Sequence, residues 1–148
     1  MRALARLDLP PVWAALAALT AWALAAALPL VAIPAPAPLA GALVLAGLAL
    51  IVWTAVLFRR ARTPIEPRRE ASALLTGGPF RINRNPIYTG MALVLLGLAA
   101  ALGALSAFLP VLAFPLVITR RFVLEEERRL RAAFGETAEA WLARTRRW

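Results

Sequence analysis

Four apolar runs, each about 20 residues long, limit what this 148-residue chain can become. They extend from about Pro11 to Ile33, Leu39 to Phe58, Ile87 to Leu105 and Ala107 to Val123. A bilayer core is about 30 Å thick and a helix rises about 1.5 Å per residue, so runs of this length read as membrane-crossing helices. With 61% hydrophobic residues and a mean hydropathy of +0.72, the chain is too apolar for a water-soluble domain of its size. Only a short turn, around Gly103 to Ser106, separates the third and fourth runs, so they predict a helical hairpin. The first run is too long for a signal peptide and leads into a multi-span pattern. The expected fold is an all-α integral membrane protein with about four transmembrane helices and a cytoplasmic C-terminal helix. Residues 1–58 form an N-terminal transmembrane hairpin, and residues 59–148 carry the loop, the second hairpin and the C-terminal helix.

The absent residue types narrow the chemistry. Without Cys there are no disulfides or thiolate metal sites, and without His there is neither the usual neutral-pH base nor the commonest metal ligand. No metal site is expected. The net charge of +9 is explained by its placement and does not argue for nucleic acid. Arg2, Arg6 and Asp8 precede the first span; seven Arg and two Glu lie between Arg59 and Arg84; eight Arg and five Glu lie from Arg120 onward, at and beyond the end of the fourth span. The linker from Pro34 to Pro38 and the turn at Gly103 to Ser106 are uncharged. The positive-inside rule therefore puts both termini and the central loop on the cytoplasmic side, as an even number of crossings requires. Arg59, Arg60, Arg62, Arg68 and Arg69 read as contacts to anionic lipid.

Local signals set the punctuation. Ala35 to Pro38 breaks the helix between the first two spans, and Gly77-Gly78-Pro79 turns the chain tightly. Gly41 and Gly47, and likewise Gly90 and Gly97, suit close helix contact. Pro110 and Pro115 predict a kink in the fourth span, and Gly135 predicts a helix end. Trp141 and Trp148 read as anchors at the membrane interface.

One polar segment stands out, Gly77 to Tyr88, which runs straight into the third span. Asn85 is a capping residue and Pro86 suits the first helical position. A helix start presents free N–H groups and partial positive charge, and so attracts carboxylates and phosphates; Arg81 and Arg84 add to this. Past the fourth span lie Glu125, Glu126 and Glu127, at the same depth. Carboxylates accept paired hydrogen bonds from ribose hydroxyls. Such a rim suits a ligand with an anionic end and a sugar end, and S-adenosylmethionine has both. Each half also has a plainer reading: Asn-Pro as an ordinary cap, and the Glu/Arg run as a solvated helix with Arg121–Glu125 and Glu125–Arg129 pairs.

Order and spacing add specificity. Gly78-Pro79-Phe80-Arg81, then Arg84-Asn85-Pro86-Ile87-Tyr88, an apolar hairpin, and Glu126-Glu127-x-x-Leu130-x-x-x-Phe134-Gly135 resemble the isoprenylcysteine carboxyl methyltransferase and phospholipid methyltransferase superfamily of membrane enzymes. Upstream, Thr63-Pro64-x-x-Pro67 and Ser72-Ala73-Leu74-Leu75 resemble that family's preceding loop. The resemblance, to bacterial-type members, covers about Arg59 to Trp148 and implies an inner-membrane enzyme. It implies S-adenosylmethionine in a cytoplasmic pocket and a lipid or lipophilic methyl acceptor arriving from the membrane. Carried over, Leu74, Leu75, Phe80, Arg84, Asn85, Pro86, Tyr88, Glu126 and Glu127 are the cofactor-binding positions. Prenylcysteine-methylating members carry Arg four residues before the cofactor Glu. Here Phe122 stands there with Arg121 beside it, which makes these two the substrate-side positions and argues against a prenylcysteine acceptor. Asn85 replaces a frequent His, and Ala138 and Trp141 stand where Tyr is usual. No catalytic residue is assigned, since a sulfonium methyl needs only an in-line nucleophile, orientation and exclusion of water. The alternative is a non-catalytic four-span protein: a scaffold, a small transporter or an inactive homologue. Apart from Arg120 and Arg121 at the very end of the fourth run, the runs hold no ionisable residue, which counts against a proton-coupled transporter.

Overall fold

The computed structural model describes residues 8–33, 35–67 and 69–148. Arg2, Arg6, Pro34 and Arg68, which entered the charge and turn readings, lie outside these residues. The fold is all-helical: α1 (Pro10–Ala27), α2 (Ala37–Arg60), α3 (Pro86–Leu102), α4 (Leu105–Ile118) and α5 (Leu124–Arg144). A 3₁₀ turn at Gly78–Arg81 precedes α3, and a π-helical turn at Thr119–Val123 joins α4 to α5 without a break. Among the described residues there is no strand, only two isolated bridges, Ala32 with Ala104 and Asn83 with Arg146.

By length and composition α1, α2 and the helical stretch Leu105–Arg144, kinked at Gly135, could each cross a membrane. The third expected span, α3, is shorter, and its 17 residues reach about 26 Å. Proline is the first or second residue of three of these helices, at Pro10, Pro38 and Pro86, where its missing N–H has no helical partner to lose. Large apolar side chains point outward along the bundle, among them Trp22 at 62%, Leu45 at 69% and Leu112 at 69% exposure. Such a surface is costly in water and natural in lipid.

Inside, α3 packs along α2 and α1 packs along α4. The α2–α3 contact depends on missing side chains. A Cβ on Gly47 would meet the Gly90 carbonyl oxygen at 2.5 Å, and one on Gly97 would meet the Ala40 carbonyl oxygen at 2.7 Å. Backbone approaches backbone there, as in other small-residue membrane contacts. Gly41 differs from its expected role, for a Cβ there would meet nothing within 4 Å. Ala21, Leu95, Ala99, Ala107, Phe114, Ile118 and Phe122 form the buried core of the bundle.

The first apolar run does not stay helical to Ile33. α1 stops at Ala27, and Val31 to Ile33 pair instead with Gly103 to Leu105, through Ile33 N–H to Gly103 O at 2.7 Å and Leu105 N–H to Val31 O at 2.9 Å. These bonds satisfy main-chain groups that a longer helix would have paired internally. Gly103 closes α3 at φ 66°, the left-handed conformation glycine adopts at helix ends. At the other end, the π-helical turn adds a wider loop of backbone, with Leu124 N–H reaching Thr119 O, and so resets the face that α5 presents. Gly135 ends the helix begun at Leu124, as expected: its φ of 52° and ψ of −129° are not helical, and a second helical stretch follows to Arg144.

Candidate active site

The polar end of the bundle encloses a cavity of about 610 Å³. That lies in the range of small-ligand pockets, roughly 300–1,000 Å³. Its walls come from five parts of the chain: the start of α1, the end of α2, the loop from Pro64 to Leu75, the 3₁₀ turn with the start of α3, and α5 with its kinked continuation. Thr63 pins the loop, its Oγ1 accepting from Ser72 N–H at 3.0 Å while Ser72 Oγ donates to Arg62 O. Leu74 and Leu75 then pack with Phe80, Trp141 and Leu142 into a second apolar cluster under the cavity. Phe80 stands edge-on to Phe58, with ring centroids 5.8 Å apart.

All nine expected cofactor positions line this one cavity: Leu74, Leu75, Phe80, Arg84, Asn85, Pro86, Tyr88, Glu126 and Glu127. They come from separate stretches of sequence and converge because α3 and α5 both leave the bundle at this end. Tyr88, on the first turn of α3, donates a 2.5 Å hydrogen bond to Glu126 Oε1 on α5. Burial pushes the Glu126 carboxyl above its ordinary value of 4.5, outweighing the Tyr88 hydrogen bond and the nearby Arg129, which pull it down. The main-chain start of α3 opens on the same space, through Asn85, Pro86, Ile87 and Tyr88.

The two adjacent glutamates have different surroundings. Glu127 is 4% exposed. Its Oε1 accepts from Arg84 at 2.9 Å and from Arg147 Nε at 2.9 Å, and its Oε2 accepts from Arg147 at 2.8 Å. Burial alone would raise its pKa, but the hydrogen bonds from Arg147 and Arg84 outweigh burial and hold it below 4.5. Arg84 is committed too: besides Glu127 it donates to Thr145 O at 3.0 Å and to Leu142 O.

Several residues take places the sequence did not indicate. Asn85 makes no side-chain cap; its Nδ2 donates to Arg147 O at 2.9 Å. Asn83 orders the helix entrance instead, accepting Asn85 N–H at 2.6 Å and donating to Thr89 Oγ1 at 2.6 Å. Trp141 is not an interface anchor. It is 2% exposed and donates to Phe80 O at 3.0 Å. Trp148, at 36% exposure, donates to Thr119 Oγ1. Nothing in residue spacing signalled Thr145 or Arg147, whose partners Arg84 and Glu127 are remote in sequence, whereas Asn83 acts locally, and an Asn two residues before Asn85 at the helix start was the signal that could have found it. Phe122 lies in the bundle core at 1% exposure and is not part of the cavity wall. Arg121 turns to α1, with Asp8 at 3.3 Å and its guanidinium 4.7 Å from the Trp13 ring centre. Glu125 makes the expected pair with Arg129 at 3.0 Å and a second with Arg128 at 2.7 Å, while Arg121 pairs with Asp8. Among the described residues no cluster of acidic side chains could hold a metal ion.

Comparison with known proteins gives one clear relationship. No curated protein and no solved structure matches the chain. The model of the phospholipid methyltransferase family matches residues 36–137, which span α2, the loop, α3, α4 and both glutamates, and this membrane protein belongs to that family.

Proposed function

We propose that the chain is an integral-membrane S-adenosylmethionine-dependent methyltransferase that transfers a methyl group to a small lipophilic or lipid acceptor at the cytoplasmic face. The observation that carries this reading is the convergence of the α3 start and Glu126 on one cavity of about 610 Å³ at the charged end of an apolar bundle. The lining suits the cofactor's parts. Leu74, Leu75 and Phe80 offer an apolar wall for a purine ring, and the Glu126 carboxylate can accept from sugar hydroxyls. The N–H groups of Ile87 and Tyr88 lie in the unpaired first turn of α3, where a carboxylate is favoured. When bound, the cofactor supplies a methyl group already activated on a sulfonium.

The chain's own contribution is to hold, orient and exclude water. Tyr88 fixes Glu126 by its hydrogen bond, so the carboxylate is pre-oriented before any ligand arrives. Met91, one turn further along α3, forms part of the lining where the cavity meets the bundle, on the side from which an apolar acceptor would approach. A carboxylate or thiolate acceptor needs no base. An amine acceptor must lose a proton, and in a chain without His or Cys a lining glutamate, water or a lipid phosphate takes it. Charge placement supports the cytoplasmic assignment, because the connection after α1 and the α3–α4 turn are uncharged while Arg59, Arg60, Arg84 and Arg129 cluster at the cavity end.

Calorimetric titration of the detergent-purified protein with S-adenosylmethionine tests the reading. Binding is expected, and Glu126→Ala should weaken it about tenfold or more, the usual effect of losing hydrogen bonds to a charged group. Absence of binding by the wild type would sink the reading and favour a non-catalytic membrane protein. Labelled methyl transfer into total membrane lipid, set against transfer to a prenylcysteine analogue, addresses the acceptor. Little transfer to the latter is expected, since Phe122 supplies no cation at its helical position.

A further inference from the structure

The family match ends at residue 137, yet the cavity's frame does not. After the kink at Gly135 the chain turns back, with Arg131 and Glu139 paired across the bend at 2.6 Å. Ala138, Trp141 and Leu142 are buried beneath the site. The last residues then run extended beside the strip that leads into α3. Arg146 N–H donates to Ile82 O at 3.1 Å, and Arg84 N–H donates to Arg146 O at 2.8 Å. Asn85 reaches Arg147 O at 2.9 Å, and Trp148 is tied to Thr119 on the π-helical turn at 3.0 Å.

Glu127 is the knot of this arrangement. Both of its oxygens are taken by guanidinium donors, and Arg147 holds it through two parallel bonds, the strongest geometry for such a pair. Arg84 in turn spends its Nε, Nη1 and Nη2 on Thr145 O, Glu127 and Leu142 O. We infer that Thr145–Trp148 is a latch that positions the α3 start against Glu126, with Arg147, Glu127 and Arg84 acting as positioning residues and not as cofactor ligands. The inference rests on the methyltransferase reading for its ligand. It adds that the site is completed by a tail outside the matched region.

The test uses full-length protein in detergent, at a temperature where circular dichroism shows wild type and variants fully folded, so that lost stability alone leaves affinity unchanged. S-adenosylmethionine is titrated into wild type, Arg147→Ala and Arg147→Lys, and exchange of the Ile87 and Tyr88 amides is followed in parallel. Arg147→Ala should weaken binding about tenfold or more and speed amide exchange, and Arg147→Lys should recover part of both. Equal affinity in wild type and Arg147→Ala would overturn the latch. If the wild type does not bind at all, the methyltransferase reading fails and exchange alone judges the latch: faster exchange in Arg147→Ala supports it and unchanged exchange overturns it.

Discussion

Between α2 and α3 the helices close until Gly47 and Gly90 lie against each other's carbonyls, where a Cβ on either would come within 2.8 Å of the other's oxygen. At the cavity end, Glu127 is instead gripped by two arginines, one from the α3 entrance and one from the chain's last residues. The first region is held by shape alone, without a charged group. The second is held by directional bonds among groups that would be costly to bury unpaired. Shape contacts set how closely the spans pack. Polar contacts set where individual side chains point, which is what a binding site requires.

Substitutions in the two regions test this contrast. The largest effect is expected for Glu127→Ala, which leaves Arg84 buried without its carboxylate. It should cost about 3 kcal/mol, the low end for a broken buried pair because Arg147 is partly solvated. It should also weaken cofactor affinity in the folded protein. Gly47→Ala comes next, at about 2 kcal/mol by overpacking, read from unfolding in mixed detergent micelles. Here affinity of the folded fraction should stay unchanged. Gly47→Ala at wild-type stability, or Glu127→Ala at wild-type affinity, would erase the distinction.

Acid titration gives a smaller and two-signed effect, because the neighbouring glutamates lie on the part of α5 beyond the span. The folded pKa of Glu126 is raised above 4.5, so its charged form opposes folding, and that cost disappears as pH falls toward 4.5. The folded pKa of Glu127 is depressed, so its stabilisation is complete above 4.5 and is lost as pH falls through the folded value. The thermal midpoint should therefore rise on acidification toward 4.5 and fall below it. Glu126→Gln should remove the rise, and Glu127→Gln should flatten the fall. Smallest of all is Arg121→Ala. Its pair with Asp8 is half-exposed and it also lies over the Trp13 ring, so the loss should stay at about 1 kcal/mol or less with affinity unchanged. A large loss of affinity there would return Arg121 to the site.

Much of the site was legible because its signals are local. Pro86 after Asn85 marks a helix start wherever it occurs, and Glu126 follows an apolar run of spanning length. Asn85's bond to Arg147 was not legible, since the partner lies 62 residues away. Trp141 misled for the same reason: an aromatic near an amphipathic end suggests an interface until the kink at Gly135 carries it inward.

By itself the sequence determined the apolar helices, the one-sided charge and the two polar elements that line the cavity. Each of these follows from run length, residue type or short spacing, and needs no knowledge of partners. Tertiary structure decided that Glu126 faces the cavity beside Tyr88 while Glu127, one residue on, is locked to Arg84 and Arg147. It also decided that Phe122 belongs to the core. Successive helical residues point in different directions, and what each meets depends on the face that the π-helical turn sets and on where the chain returns after Gly135. That return is a matter of packing between remote segments, which no local pattern encodes.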